Sequence, residues 1–166
     1  MGLDMYLFAR KRCYVSSWMD ESNGTLKAEL PKELDAFKDL DEVKNSLSVT
    51  FQADYKVGYW RKANHIHAWF VHNCADDKDE CQEIYLELED LEKLQSICAQ
   101  VLQDHSKAEE LLPTQSGFFF GGTEYDEFYF KDVEKTLEIL NAAVKFLEER
   151  AKVDDYSWGM YYQASW

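Results

Sequence analysis

The longest periodic pattern in the chain is an apolar stripe near its C-terminus, and a helix with one apolar face must be covered by a second layer. Asp132 stands where an N-cap is expected. A second stripe follows Asp90. The apolar residues of the two stripes are Val133, Leu137, Leu140, Val144 and Leu147 in one, and Leu91, Leu94, Ile97, Cys98, Val101 and Leu102 in the other. Together they predict two helices that pack on a sheet.

The strands of that sheet are indicated by alternation of apolar and polar residues. Leu3, Met5 and Leu7 alternate with polar or aromatic neighbours near the N-terminus. Further strands are predicted over residues 47–53, 84–88, 118–120, 128–130 and 156–166, a turn over residues 20–25, and helices over residues 31–43 and 59–72. We therefore predict a single domain over residues 1–166 with an α+β fold, a mostly antiparallel sheet with three to four helices packed on one face.

Charge and composition narrow the function classes. The 166 residues carry a formal net charge of −14, and an acidic surface repels nucleic acid and anionic membranes. No apolar run reaches the roughly 18 residues that span a bilayer, and the first residues lack the order of a signal peptide. We expect a cytoplasmic protein that contacts neither membranes nor nucleic acid directly. The four cysteines are too sparse for a disulfide scaffold, so we expect free thiols.

Residues 55–75 form an acid-free segment in a chain with 32 acidic residues. Cations interleaved with aromatic rings suit a planar, phosphorylated ligand, because rings stack on a base and cations meet the phosphate. The candidates for anion contacts are Arg61, Lys62, Asn64 and His65, and those for stacking are Trp60, His67 and Trp69. The alternative is an amphipathic helix with a solvated basic face and a half-buried His67.

Two other segments could complete such a site. Asp4 and Tyr6, on the neighbouring strand, could orient a ligand through polar contacts. The loop that contains Thr114 and Ser116 is also acid-free, and with the following glycines it could hold a phosphate through backbone N–H groups. It lacks the glycine and lysine order of a nucleotide-hydrolase loop.

Metal binding and catalysis are the remaining possibilities. His65, His67, His72, Cys74 and Cys81 are close in sequence, but their spacing does not match closed zinc sites, and we expect no metal or cofactor. A hydrolase of a phosphorylated substrate would use His65 or His67 for acid–base chemistry with Glu124 or Asp126 nearby. The absence of a nucleophile motif favours binding over catalysis.

Several segments together resemble a family of small uncharacterised proteins encoded by phages and prophages. The segments are GLDMYL at 2–7, YWRKAN at 59–64, IH and WF at 66–70, LLPT at 111–114, SGFFFG at 116–121, TEYD at 123–126 and ASW at 164–166. The resemblance covers most of the chain and implies an accessory protein that counters host defence. Within that class, the acid-free segment favours sequestration of an anionic, nucleotide-like signal. The alternative is an acidic protein that blocks a host defence protein, and the many aromatic residues could also serve a homo-oligomer interface.

Overall fold

The structure, a computed structural model, describes residues 2–16 and 48–166. The strands in this part of the chain are β1 (Asp4–Ser16), β2 (Ser48–Arg61), β3 (Ile84–Leu86) and β4 (Trp158–Ser165). The α-helices are α1 (Asn64–Cys74), α2 (Leu88–Gln103), α3 (Ala108–Leu111) and α4 (Glu127–Ala151), with a 3₁₀ turn at His105–Lys107. The strands form an antiparallel sheet in the order β2-β1-β4-β3, so the predicted α+β fold is confirmed.

The chain divides into two compact units. The first comprises Met1–Arg10 and Asp54–Trp166, and the second comprises Lys11–Ala53. The sites described below lie in the first unit. The predicted turn at residues 20–25, the predicted helix at residues 31–43 and the side chain of Cys13 lie outside the described residues.

The alternation in β1 separates a covered face of the sheet from an open one. Leu3, Met5 and Leu7 have no exposed surface and pack in the core, whereas Asp4 and Tyr6 are partly exposed on the opposite face. A fully buried leucine or methionine contributes roughly 1.5–3 kcal/mol relative to an exposed one. The periodicity of β1 therefore sets which side of the sheet the helices cover.

The two long helices begin earlier than their apolar stripes indicate. Glu87 is the N-cap of α2, and Asp90 is the third helical residue, accepting a hydrogen bond from the Glu87 N–H at 2.9 Å. The predicted Asp90 cap is therefore wrong by three positions. Asp126 caps α4, accepting hydrogen bonds from the N–H groups of Phe128 at 2.9 Å and Tyr129 at 3.1 Å. The predicted strand at 128–130 and the predicted Asp132 cap are wrong because this cap opens the helix there.

Two further local predictions are wrong. Residues 118–120 form a turn instead of a strand, and the Phe118 side chain is 95% exposed. The helix predicted from residue 59 begins only at Asn64, because β2 continues through Arg61. Gly58 lies inside that strand, where an added Cβ would be 3.0 Å from the Ile139 side chain, so its role is to let α4 approach the sheet.

The remaining strand predictions agree with the structure except at one end: the strand predicted over residues 84–88 stops at Leu86, because α2 begins at Leu88. A strand covers residues 84–86, and β4 returns the C-terminal segment to the sheet. The register of these two strands pairs Ile84 with Tyr162 and Leu86 with Met160. Within residues 2–16 and 48–166, none of the helices has both the length and the apolar composition to cross a bilayer.

Candidate functional site

The chain turns sharply between β2 and α1, and this turn builds one side of the candidate site. Lys62 adopts a left-handed backbone with φ of 62°, and its N–H donates to the Leu3 carbonyl at 2.8 Å. Gly121, with φ of 91°, lies against it, and a Cβ at that glycine would be 3.1 Å from the Lys62 Cβ. The turn therefore needs glycine at position 121, both for its backbone conformation and for this close approach.

Asn64 fixes the loop that forms the other side of the site. Its amide nitrogen donates to the carbonyls of Phe120 at 3.1 Å and Gly122 at 2.7 Å. Its amide oxygen accepts from the Gln115 N–H at 2.9 Å. Only 2% of the residue is exposed, and these three bonds use most of its hydrogen-bonding capacity. Asn64 is thus a clamp for the loop, and the structure gives it no free group for an anion.

The turn, the clamped loop and the start of α4 enclose a cavity of about 550 Å³, here called the first cavity. This volume is within the range of small-molecule sites, roughly 300–1,000 Å³. Its lining residues are Arg61, Lys62, Asn64, His65, Thr114, Gly121, Gly122, Glu124, Asp126, Phe128, Tyr129, Lys131 and Asp132. Five of the eleven residues proposed from the sequence as ligand contacts are therefore brought together.

Three cations border the first cavity. No ion pair joins Arg61 or Lys62 to a carboxylate among the described residues, so the charge of both is available to a ligand. Lys131 is 3.5 Å from a Glu127 carboxylate oxygen, an exposed i,i+4 pair of the kind that contributes little stability. Its ammonium also lies 5.3 Å from the centroid of the Phe128 ring, which is 65% exposed.

Three carboxylates face the same space and differ in their surroundings. Asp126 is engaged as the cap of α4, whereas Glu124 is exposed. Partial burial raises the pKa of Asp132 to about 6, although the positive charge of Lys135 acts to lower it. An acid with a pKa near neutrality in a cavity is a feature of functional sites.

His65 lines the first cavity although its side chain is almost fully buried. The side chain is 3% exposed, its ring centroid is 4.2 Å from that of Tyr129, and its Nε2 has no hydrogen-bond partner among the described residues. Burial lowers its pKa from 6.5 to about 3, so the imidazole is neutral at pH 7. A buried, unpaired polar atom costs about 1–3 kcal/mol, and such groups call for an explanation.

A second cavity of about 370 Å³ adjoins the first at His65 and Thr114, which line both. Its other lining residues are Ala68, Trp69, His72, Asn73, Lys93, Ile97, Leu111, Leu112, Pro113 and Gln115. The Lys93 ammonium donates to the Asn73 amide oxygen at 2.8 Å and lies 5.8 Å from the Trp69 ring centroid. Trp69, proposed as a stacking residue, thus lines this cavity and not the first.

Two other proposed stacking residues are core residues. Trp60 has no exposed surface, and its indole N–H donates to the Thr136 hydroxyl at 2.8 Å. His67 is 1% exposed, with Nδ1 at 2.8 Å from the Tyr162 hydroxyl and Nε2 at 3.0 Å from an Asp79 oxygen. Neither lines the two cavities, because strand and helix periodicity direct both side chains into the interior.

The remaining candidates lie away from the cavities. Asp4 accepts a hydrogen bond from the Tyr59 hydroxyl at 2.5 Å, and the Lys56 ammonium lies 4.3 Å from the Tyr6 ring centroid. Both contacts are on the open face of the sheet, opposite the helices. Ser116 is exposed on the clamped loop but lines neither cavity.

The metal candidates are separated in space. His72 forms an exposed pair with Asp77, and burial raises the pKa of the Cys74 thiol to about 12. Within the described residues, histidine, cysteine and acidic side chains form no cluster of three that could hold a metal ion. Cys74, Cys81 and Cys98 are free thiols.

Sequence reasoning missed the contribution of α4 to the first cavity. Phe128, Tyr129, Lys131 and Asp132 line it, yet two of them had been placed on a strand and one at a cap. The signal that could have found them was Asp126, which precedes this segment as an N-cap residue. Comparison with protein-family models, with curated proteins and with solved structures found no match.

Proposed function

We propose that this protein is a phage or prophage accessory protein that binds an anionic, nucleotide-like small molecule in the first cavity. The observation that carries the proposal is the grouping of Arg61, Lys62 and Lys131 around a cavity of about 550 Å³ in a chain of net charge −14. Three carboxylates, Glu124, Asp126 and Asp132, line the same cavity, so its formal charges balance, whereas the chain as a whole is strongly acidic. A position that is much less negative than the rest of the protein, with two cations that form no ion pair among the described residues, favours an anion locally. The resemblance to phage proteins supports a role in counter-defence, in which binding sequesters a host nucleotide signal.

The other walls suit the uncharged parts of a nucleotide. Glu124 and Asp132 could accept hydrogen bonds from ribose hydroxyls or from an exocyclic amine. The exposed ring of Phe128 offers a surface on which a base can stack, and such stacking contributes about 1–3 kcal/mol per base. A ligand with a phosphate, hydroxyls and a planar ring would contact the cations, the carboxylates and the Phe128 ring in turn.

The test is a binding series on the full-length protein. Native mass spectrometry of protein purified from bacterial cells, before and after denaturation, shows whether a small molecule copurifies. Calorimetric titration with nucleosides and with their mono-, di- and triphosphates should give binding only to the phosphorylated compounds. Arg61→Met should weaken that binding roughly tenfold, the loss of one charge-assisted contact, and the exposed Lys145→Met should leave it unchanged.

Failure of every phosphorylated compound to bind the folded protein would contradict the proposal. The acidic surface would then be the better candidate for function, acting on a basic surface of a host defence protein. That alternative requires partner binding that weakens as salt is raised, because exposed charges are screened.

Hydrolysis of a phosphorylated substrate is a second candidate, favoured by one observation. Asp132, His65 and Glu124 line the same cavity, and the raised pKa of Asp132, about 6, suits a general base near neutral pH. The neutral imidazole of His65 could accept a hydrogen bond from an attacking water but could not act as an imidazolium at pH 7. Phosphate release that is abolished by Asp132→Asn, with ligand binding retained, would establish this activity.

A further inference from the structure

The first and second cavities share part of their walls. The cavities meet at His65 and Thr114, and the buried His65 Nε2 is the polar atom there that the fold leaves unpaired. Thr114 is held in place, because its side-chain hydroxyl donates to the Thr123 carbonyl at 3.1 Å and its backbone N–H donates to the Tyr125 hydroxyl at 3.3 Å. The boundary between the cavities is therefore built and fixed by the fold.

The second cavity differs from the first in chemistry. Ile97 and Leu111 supply partly exposed apolar surface, Trp69 borders the cavity with 6% of its surface exposed, and Lys93 supplies a cation. Among the described residues, the Lys93 ammonium donates one hydrogen bond, to Asn73, so two of its three donors remain for a ligand. A planar ring against apolar walls with one nearby negative charge fits this composition.

We infer that the two cavities are the two halves of one site and that the ligand is a dinucleotide, meaning two nucleotide units joined through phosphate. This inference rests on the proposed function. One unit occupies the first cavity, with its phosphate against Arg61 and Lys131. The second unit places its base beside Trp69, and Lys93 contacts its phosphate. The link between the units crosses the boundary at His65 and Thr114.

The experiment compares two matched probes on the full-length protein by calorimetry. The probes are adenosine 5′-monophosphate and the linear dinucleotide of two adenylate units with a 5′-phosphate. The dinucleotide should bind at least about tenfold more tightly, because the second unit adds contacts without a second loss of overall freedom. A cyclic dinucleotide of the same base distinguishes a linear from a cyclic link.

Three variants assign the halves. Lys93→Met keeps the aliphatic stem of an exposed helical residue and should weaken dinucleotide binding about five- to tenfold while mononucleotide binding is unchanged. Lys131→Met should weaken binding of both probes. Lys145→Met, distant from both cavities, should affect neither.

The outcomes separate this inference from the function on which it rests. Equal affinity for the two probes, with no effect of Lys93→Met, would overturn the dinucleotide assignment and leave single-nucleotide binding intact. Binding of neither probe nor any other phosphorylated compound would overturn both proposals.

Discussion

Two histidines two residues apart on α1 occupy opposite environments, and they define two regions of the molecule. The sheet side contains His67, with both ring nitrogens within hydrogen-bonding distance of Tyr162 and Asp79. Trp166 adds a bond from its indole N–H to the other Asp79 oxygen at 3.2 Å. The cavity side contains His65, which is almost as well buried but has an unpaired Nε2.

The pairing of the two imidazoles indicates which of the two regions is organised for stability. On the sheet side, every nitrogen of the buried imidazole is paired, as expected of a polar group that belongs to a core. On the cavity side, the fold leaves the buried His65 Nε2 without a partner among the described residues, in the wall of a cavity that three cations also line, and such an atom costs stability. We therefore expect substitutions on the sheet side to affect stability first, and those on the cavity side to affect binding first.

The largest expected effect is on the sheet side. His67→Ala removes a buried ring and leaves the Tyr162 hydroxyl without that partner, which should lower the free energy of unfolding by about 3 kcal/mol. His65→Ala should cost about 1–2 kcal/mol, because its ring borders cavities and its Nε2 has no partner in the described part of the chain. Urea unfolding at pH 7, followed by circular dichroism, measures both values.

Tyr162→Phe is the control for this comparison. It keeps the ring that stacks on Phe70 at 4.2 Å and removes only the hydroxyl, so the loss should be about 1 kcal/mol. Equal losses for His67→Ala and His65→Ala would show that the two sides contribute equally to stability.

The second-largest expected effect is a loss of stability in acid, which His65 on the cavity side should cause. The pKa of His65 is lowered by burial to about 3, whereas an unfolded chain has its ordinary value near 6.5. Between these values the unfolded state binds more protons than the folded state, so the contribution of His65 to stability falls as the pH falls from about 6.5 towards 3. By pH 4.5 the loss from this group should reach about 2.5 kcal/mol.

His65→Phe removes the titrating group and keeps a planar ring beside Tyr129. The difference in unfolding free energy between the variant and the wild type should therefore shift by about 2.5 kcal/mol in favour of the variant between pH 7 and pH 4.5. Urea unfolding at the two pH values measures the shift. An unchanged difference would mean that the imidazole is not held in its neutral form by burial.

Sequence periodicity predicts the buried side of the sheet better than it predicts the cavity side. The alternation in β1 and the stripe of α2 determine which residues are buried, so the fold class and most of the core could be read from periodicity. The start of α4 could not be read from periodicity, because Phe128 and Tyr129 suit a strand as well as a helix. The helix begins there because Asp126 provides its N-cap.

The candidate site was only partly predictable for a related reason. The acid-free segment contains Arg61, Lys62 and His65, which do line the first cavity. It also contains Trp60 and His67, which have the same chemistry but point into the core. Composition identifies the segment, whereas the direction of each side chain depends on where β2 ends and α1 begins, and this boundary is set by the left-handed turn at Lys62.

That turn supplies the smallest expected effect on stability. A non-glycine residue at φ of 62° carries steric strain, which glycine relieves, while glycine also increases the entropy of the unfolded chain. Lys62→Gly should therefore change the free energy of unfolding by no more than about 0.5 kcal/mol, in the stabilising direction. Lys62→Ala keeps the Cβ and its strain, and it removes the same charge.

Both Lys62 variants should weaken binding of a mononucleotide about five- to tenfold, because both remove one cation from the first cavity. Calorimetric titration together with urea unfolding gives the two quantities on the same samples. If the glycine variant instead lost more than about 1 kcal/mol of stability, Lys62 would be a structural residue like His67, since relief of backbone strain alone cannot produce such a loss. Weakened binding at unchanged stability would place the Lys62 ammonium among the groups that hold the ligand, and would make the cavity side the functional region of this fold.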